Sequence, residues 1–406
     1  MASTASAHRL LRRERGSPAG SHAGNRRFSV LRPTGLCLPS IPSAQAAFLV
    51  ALTSLAIGGA PSAHAGPSAN APNIVVITVD GLSTADLGYN GAIDIETPNI
   101  DRLAAAGTVF TNAYTSMSGS SPARAGLLTG RHPARFGLEE DLALAWPDAE
   151  QALPTSEQTI ARHLSRAGYR TGLVGKWHLG AEESRVPLKR GFDYFFGFIG
   201  RGHDYWHTDA NALADEYLIP LVENHRNVRL DGYLTDVLTN KAIDFMNDSG
   251  AAPFFLQLAF NAPQMPLEAP RELLAKYAGV QDASRRTYLA MVDALDGNIG
   301  RLLDALDTAG ILDATLIFLT GEQAAAPPAD NGGLRGGGFH EGAIRVPFAA
   351  SWPSRWPSGS TFQHTASTLD IAATVLAAAG VSPSASHPAP DGVNLDPFLR
   401  GERTDA

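Results

Sequence analysis

Residues able to do chemistry gather at four places along this 406-residue chain. Asp80 closes the β-branched run Asn73-Ile74-Val75-Val76-Ile77-Thr78-Val79. The small-residue turn Ser118-Gly119-Ser120-Ser121-Pro122-Ala123-Arg124 opens a helix, with Pro122 near its first position. Gly175-Lys176-Trp177-His178-Leu179-Gly180 and the pair Glu322-Gln323 each follow a further apolar run. A helix start offers free backbone N–H groups and the positive end of its dipole, so the serine turn suits an anion.

The elements that position these groups follow from hydrophobic pattern. The runs at 73–79, Phe254–Phe260 and Thr315–Thr320 are continuous and apolar, as expected of strands buried on both faces. Helices are predicted over Pro98–Ala106, Tyr233–Met246, Ser284–Leu306 and Thr368–Ala379. Another is predicted from a capping box at Thr155–Gln158 to Gly168. The stripe Leu289, Val292, Leu295, Ile299, Leu302 and Leu303 marks the 284–306 helix as core. Alternating strands and helices imply a mostly parallel sheet covered on both faces. Active sites of such sheets lie beyond the carboxyl ends of the strands, where these polar residues fall.

With these motifs in order, the chain resembles the sulfatase family of the alkaline-phosphatase-like superfamily. The resemblance runs from Pro72 to about Gly401. It rests on Thr97-Pro98-Asn99-Ile100-Asp101-Arg102-Leu103, Ser120-x-Pro122-x-Arg124 with Leu127-Leu128-Thr129-Gly130-Arg131, and Gly175–Gly180. It continues through Arg190-Gly191-Phe192-Asp193-Tyr194-Phe195-Phe196-Gly197, Ala259-Phe260-Asn261-Ala262-Pro263 and Glu341-Gly342-Ala343-Ile344-Arg345-Val346-Pro347. The resemblance implies an α/β sandwich of alkaline-phosphatase type, without the small C-terminal subdomain usual in the family. It implies cleavage of a small-molecule or glycan sulfate ester. Ser120 would be the nucleophile position, oxidised to formylglycine by a maturation enzyme, with a covalent sulfo-enzyme on the path. Arg124 would steady it, and Lys176 and His178 would contact nucleophile and sulfate. Asp80, Glu322 and Gln323 would hold Ca²⁺, and Gln264 and His203 would face the substrate.

The departures from the family pattern cluster in this same site. Asp80-Gly81 replaces Asp-Asp, and Ser120 stands where cysteine is usual, which calls for a different maturation enzyme. Ala123 replaces a common serine. Gln264 replaces the histidine of Asn-Ala-Pro-His and cannot donate a proton to a leaving group. Glu322-Gln323 replaces Asp-Asn, while a literal Asp330-Asn331-Gly332-Gly333 lies further along the loop. Arg335-Gly336-Gly337-Gly338 lacks the family lysine. Weak Ca²⁺ binding is expected from the reduced ligand charge. Other readings of single residues stay open: Ser120 as a helix cap, Glu322 as a solvated strand-end acid, Lys176 and His178 as surface residues, His203 as loop packing. Two further functions stay open too, a pseudoenzyme that binds sulfated ligands and a phosphate-ester hydrolase using unmodified Ser120.

Charge narrows the class of partner. Residues 1–45 hold seven arginines and one acid, leaving 25 of 32 basic and 39 of 40 acidic residues elsewhere, a net charge of −14. Nucleic acid is therefore not an expected partner. The basic stretch, the apolar run 46–57 and Ala63-His64-Ala65 have the order of a signal peptide, so a periplasmic or secreted product is expected, with no membrane span once mature. The single cysteine, Cys37, falls inside that leader. The predicted organisation is a leader over 1–65, an α/β catalytic domain over 66–385 and a tail over 386–406.

Overall fold

The computed structural model describes residues 71–142, 152–206, 220–323, 327–338, 340–382 and 387–404. The leader residues, Cys37 and the Ala63-His64-Ala65 site lie outside them. Ten strands among the described residues form one sheet. They are β1 (Asn73–Asp80), β2 (Thr108–Tyr114), β3 (Arg170–Lys176), β4 (Tyr194–Phe198), β5 (Leu221–Glu223), β6 (Arg226–Val228), β7 (Phe254–Pro263), β8 (Thr315–Gly321), β9 (Phe348–Ser351) and β10 (Ser360–Ser367). Their order is β10-β2-β9-β8-β1-β7-β3-β4-β5-β6. The run β8-β1-β7-β3-β4 is parallel throughout, and β9 lies antiparallel between β8 and β2. The mostly parallel sheet expected from the alternation is therefore present.

Helices cover both faces. They are α1 (Pro98–Ala105), α2 (Ser120–Thr129), α3 (Ile160–Arg166), α4 (Leu234–Asn247), α5 (Arg271–Lys276), α6 (Ala283–Thr308), α7 (Glu341–Ile344), α8 (Leu369–Ala378) and α9 (Asp396–Leu399). Strand β1 shows how the layers form. Val75, Ile77 and Val79 point into a core shared with α1, α4 and α6, while Ile74 and Val76 point into one shared with α2, α3 and α8. A two-residue side-chain period thus feeds two cores from one strand. The six apolar positions read as core along 284–306 are all buried.

Most predicted boundaries agree within one to three residues. The capping box at Thr155–Gln158 is a correction: those residues form a turn, and the helix begins at Ile160. Its cap is Thr159, whose hydroxyl accepts from Arg162 N and donates to the Arg190 carbonyl. A tertiary partner 31 residues away decides where the helix starts, and local spacing does not contain it.

Candidate active site

Four adjacent strands end at one place. Glu322 follows β8, Asp80 ends β1, Gln264 follows β7, and Lys176 ends β3 with His178 two residues on. The β1–β7 register slips where Val79 pairs with Phe260 but Asp80 pairs with Pro263. This bulge carries Asn261 and Ala262 out of the ladder and brings Gln264 beside Asp80, the usual work of a bulge near a site. Helix α2 delivers Ser120 from the other side. Gly119 is the N-cap and Ser120 the first helical residue, and no side chain caps the helix at Gly119. The Ser120 hydroxyl is thus not used as a cap. The Ser121 N–H is taken by Asp141 at 2.8 Å.

The side chains then meet. Ser120 Oγ lies 3.4 Å from His178 Nδ1 and 3.4 Å from Glu322 Oε2. His178 Nε2 faces the Leu142 carbonyl at 3.4 Å. A carbonyl only accepts, so Nε2 carries the proton and Nδ1 presents its lone pair to Ser120. His178 holds this position with φ of +51°, a left-handed conformation rare for a residue with a side chain. Lys176 Nζ donates to Asp80 Oδ2 at 2.5 Å. Arg124 pairs with Glu322 Oε1 and donates to the Lys176 carbonyl at 2.6 Å. All six of these residues are at least 95% buried, so the readings of Glu322, Lys176 and His178 as solvated surface groups fall away.

Burial and charge set the protonation. Burial pushes the Asp80 carboxyl up, but Lys176 in contact and Arg124 nearby outweigh it and hold it below the usual range. Glu322 is raised, because burial and the Asp80 charge exceed the pull of Arg124. His178 lies well below the ordinary imidazole value, first through burial and then through the positive charge of Lys176 and Arg124. It is a neutral imidazole.

Gln264 sits against Asp80 Oδ1 at 3.4 Å, and Gln323 against the same oxygen at 3.3 Å, both amides oriented to donate. The Asp330-Asn331 segment lies elsewhere: Asp330 N donates to Asp86 at 3.1 Å, Asp330 Oδ1 accepts from Gly332 N, and Asn331 accepts from Ser83. Glu322-Gln323 is therefore the pair beside Asp80. The His203 ring lies 5.7 Å from that of Phe198, tilted by 43°, its Nδ1 lies 2.6 Å from the Asp204 carbonyl, and its own carbonyl accepts from Asn261. These contacts fix His203 between the end of β4 and the end of β7. Asp141 and the Leu142 carbonyl are site groups that pattern reading misses, for nothing in Glu139-Glu140-Asp141-Leu142 marks them.

The donor set does not fit the divalent metal that the fold family implies. Asp80 Oδ2 is taken by an ammonium and Oδ1 by two amide N–H groups. Glu322 Oε1 is taken by a guanidinium, and Oε2 faces a hydroxyl. Three of the four carboxylate oxygens of the pair have a nitrogen donor, and the fourth shares the Ser120 hydroxyl with His178 Nδ1. Among the described residues, no three His, Cys, Asp or Glu side chains are grouped to hold an ion.

Comparison with known proteins agrees with this architecture. The family model Sulfatase matches residues 72–381. N-acetylgalactosamine-6-sulfatase of Mus musculus is 34% identical over 357 residues, 82% of this chain and 67% of the relative. Arylsulfatase A of Bos taurus is 34% identical over 361 residues, 82% of this chain and 69% of the relative. The chain thus spans about two thirds of the length of these curated relatives. A solved structure of Ps i-CgsB in complex with k-i-k-neocarrahexaose has 37% sequence identity and a TM-score of 0.75, covering 80% of this chain and 75% of that one. With a buried serine at the start of α2, a Gly-Lys-Trp-His-Leu-Gly strand end and an alkaline-phosphatase-like sheet, this chain belongs to the sulfatase family, whose members hydrolyse sulfate esters.

Proposed function

We propose that the protein cleaves sulfate esters of a glycan, with residue 120 as nucleophile. The observation that carries this is the approach of Ser120 Oγ to the lone-pair nitrogen of His178, at the buried start of α2 between two cations. Lys176 and Arg124 stay paired with Asp80 and Glu322 and bring N–H donors to the buried site where the anionic sulfate would bind. The relatives support a glycan: one is named for N-acetylgalactosamine-6-sulfate chemistry, and Ps i-CgsB was solved with a neocarrahexaose.

Residue 120, oxidised to formylglycine, would supply a hydrated aldehyde as nucleophile. A maturation enzyme with its own electron acceptor would have to carry out that oxidation. The approach of Ser120 Oγ to His178, clear of the helix cap, supports this reading. His178 takes the proton of the residue-120 hydroxyl on Nδ1 while Leu142 holds Nε2–H. In the resting site His178 is a weak base, first because it is buried and then because two cations face it. An entering sulfate offsets that charge and raises its basicity, which couples proton transfer to substrate binding. The basic and apolar order of residues 9–65 supports export to the periplasm or beyond.

A second reading, binding of sulfated ligands without turnover, is favoured by Gln264. It stands at the expected leaving-group acid, is bonded to Asp80, and has no proton to give. Release of inorganic sulfate from a sulfated galactan by protein from its native host separates the two. Release that is lost in Ser120→Ala supports hydrolysis. Saturable glycan binding with no release refutes it and supports the binding role.

A further inference from the structure

We infer that this pocket is neutralised by the protein's own cations and is not a divalent-metal site, with Lys176 Nζ as the permanent counterion of Asp80. The inference holds whether or not the pocket turns over sulfate esters, because it concerns the resting protein.

Charge is the first ground. The buried cluster contains two carboxylates, Asp80 and Glu322, and two cations, Lys176 and Arg124, arranged as two contacting pairs. Both members of each pair are 5% exposed or less. Two negative charges meet two positive ones in a region buried from bulk solvent. An added divalent ion would carry two uncompensated charges into the same buried volume, and such charges are costly unless paired.

Donor chemistry is the second ground. A hard cation of the calcium type asks for six to eight oxygens. Here the groups turned toward Asp80 are an ammonium and two amide nitrogens, all donors of hydrogen. A metal at Asp80 would have to displace Lys176 and turn over both amides together.

Backbone shape is the third ground, independent of the others. The residue after Asp80 is Gly81, at φ of +80°. Its carbonyl and the Asp86 carboxylate share the Tyr288 hydroxyl, at 3.1 and 2.8 Å, which ties the turn to α6. Glycine fills this left-handed position without strain and carries no side chain, so the turn brings no second acidic ligand beside Asp80. The nearest further carboxylate along the chain, Asp86, is spent on Arg285 at 2.7 Å and the Tyr288 hydroxyl at 2.8 Å.

The test uses the full chain. Purified protein is analysed for bound metal by plasma mass spectrometry. Its melting temperature is then measured in EDTA and in millimolar calcium, magnesium and manganese. We expect no stoichiometric metal and the same melting temperature in every condition. A bound equivalent of any divalent ion, or a melting temperature that falls in EDTA and recovers on adding a metal, overturns the inference. A double-mutant cycle supplies the second arm, with Lys176→Met, Asp80→Asn and the two combined. If Lys176 is the counterion, Lys176→Met lowers the melting temperature, and adding Asp80→Asn restores much of the loss. If the effects of the two substitutions simply add, the pair is not coupled and the inference fails. Should Lys176→Met not fold, the metal content and melting temperatures of the unaltered protein decide alone.

Discussion

His178 is the residue whose state is most constrained by its surroundings. Burial and the charges of Lys176 and Arg124 depress its proton affinity, and the Leu142 carbonyl selects its tautomer. Below about pH 6.5 the unfolded chain binds a proton at this histidine that the folded chain refuses. Folding therefore releases that proton, and His178 contributes a loss of stability as pH falls through that value. Nitrogen-edited NMR of labelled protein should show a neutral imidazole protonated on Nε2 at pH 6; an imidazolium signal at that pH would contradict the assignment. A second residue-scale prediction concerns Ala123. It lines a small cavity of about 10 Å³ with Thr78, Arg124, Gln257 and Glu322. Around that cavity Thr115 Oγ1, Gln257 Oε1, Thr368 Oγ1 and Arg124 Nε are buried without hydrogen-bond partners. Ala123→Ser adds a hydroxyl that can pair with one of them. The expected gain is about 1 kcal/mol in chemical denaturation, and a loss of that size would show that the space is too tight.

At the scale of elements, two close approaches hold the site. Strand β3 meets β7 where Gly175 has φ of +112°, and a Cβ there would lie 1.9 Å from the Ala259 carbonyl oxygen. Gly175→Ala must push apart the strands that carry Lys176 and Gln264. A cost of several kcal/mol, roughly 3 or more, is expected, together with loss of any activity. Near-normal stability in urea unfolding would mean that the strands can part freely. Helix α6 buries Asp296, which accepts from Asn99 N and Ile100 N in the first turn of α1 and from the Asn99 side chain. These elements were largely legible in the sequence. The continuous apolar runs of β1, β7 and β8 and the stripe of α6 lie in local spacing, and local spacing is what a chain displays. The start of α3 was not legible, because Thr159 is selected by the Arg190 carbonyl. Asp141 was not legible either, since it reaches α2 from a loop 20 residues away. At the site, residue types and strand-end positions could be read. The pairing could not: Lys176 and Asp80 are 96 residues apart, and Arg124 and Glu322 are 198 apart.

For the molecule as a whole, charge opposes its proposed ligand. The chain carries a formal net charge of −8 and a sulfated glycan is a polyanion, so long-range forces slow their encounter. Salt shortens the reach of that repulsion to about 8 Å at physiological ionic strength. The specificity constant on a polysulfated glycan should therefore rise as salt increases from low values, while that on a singly charged aryl sulfate changes little. A fall with salt for the polymer would point to a basic binding surface instead. Sulfate-ester cleavage itself is tested most directly by acid-quenched single turnover with a ³⁵S-sulfated substrate, using protein from its native host. Transfer to residue 120 predicts transient label on the tryptic peptide that ends at Arg124, absent in Ser120→Ala. Release of labelled sulfate with no label ever on that peptide would contradict it.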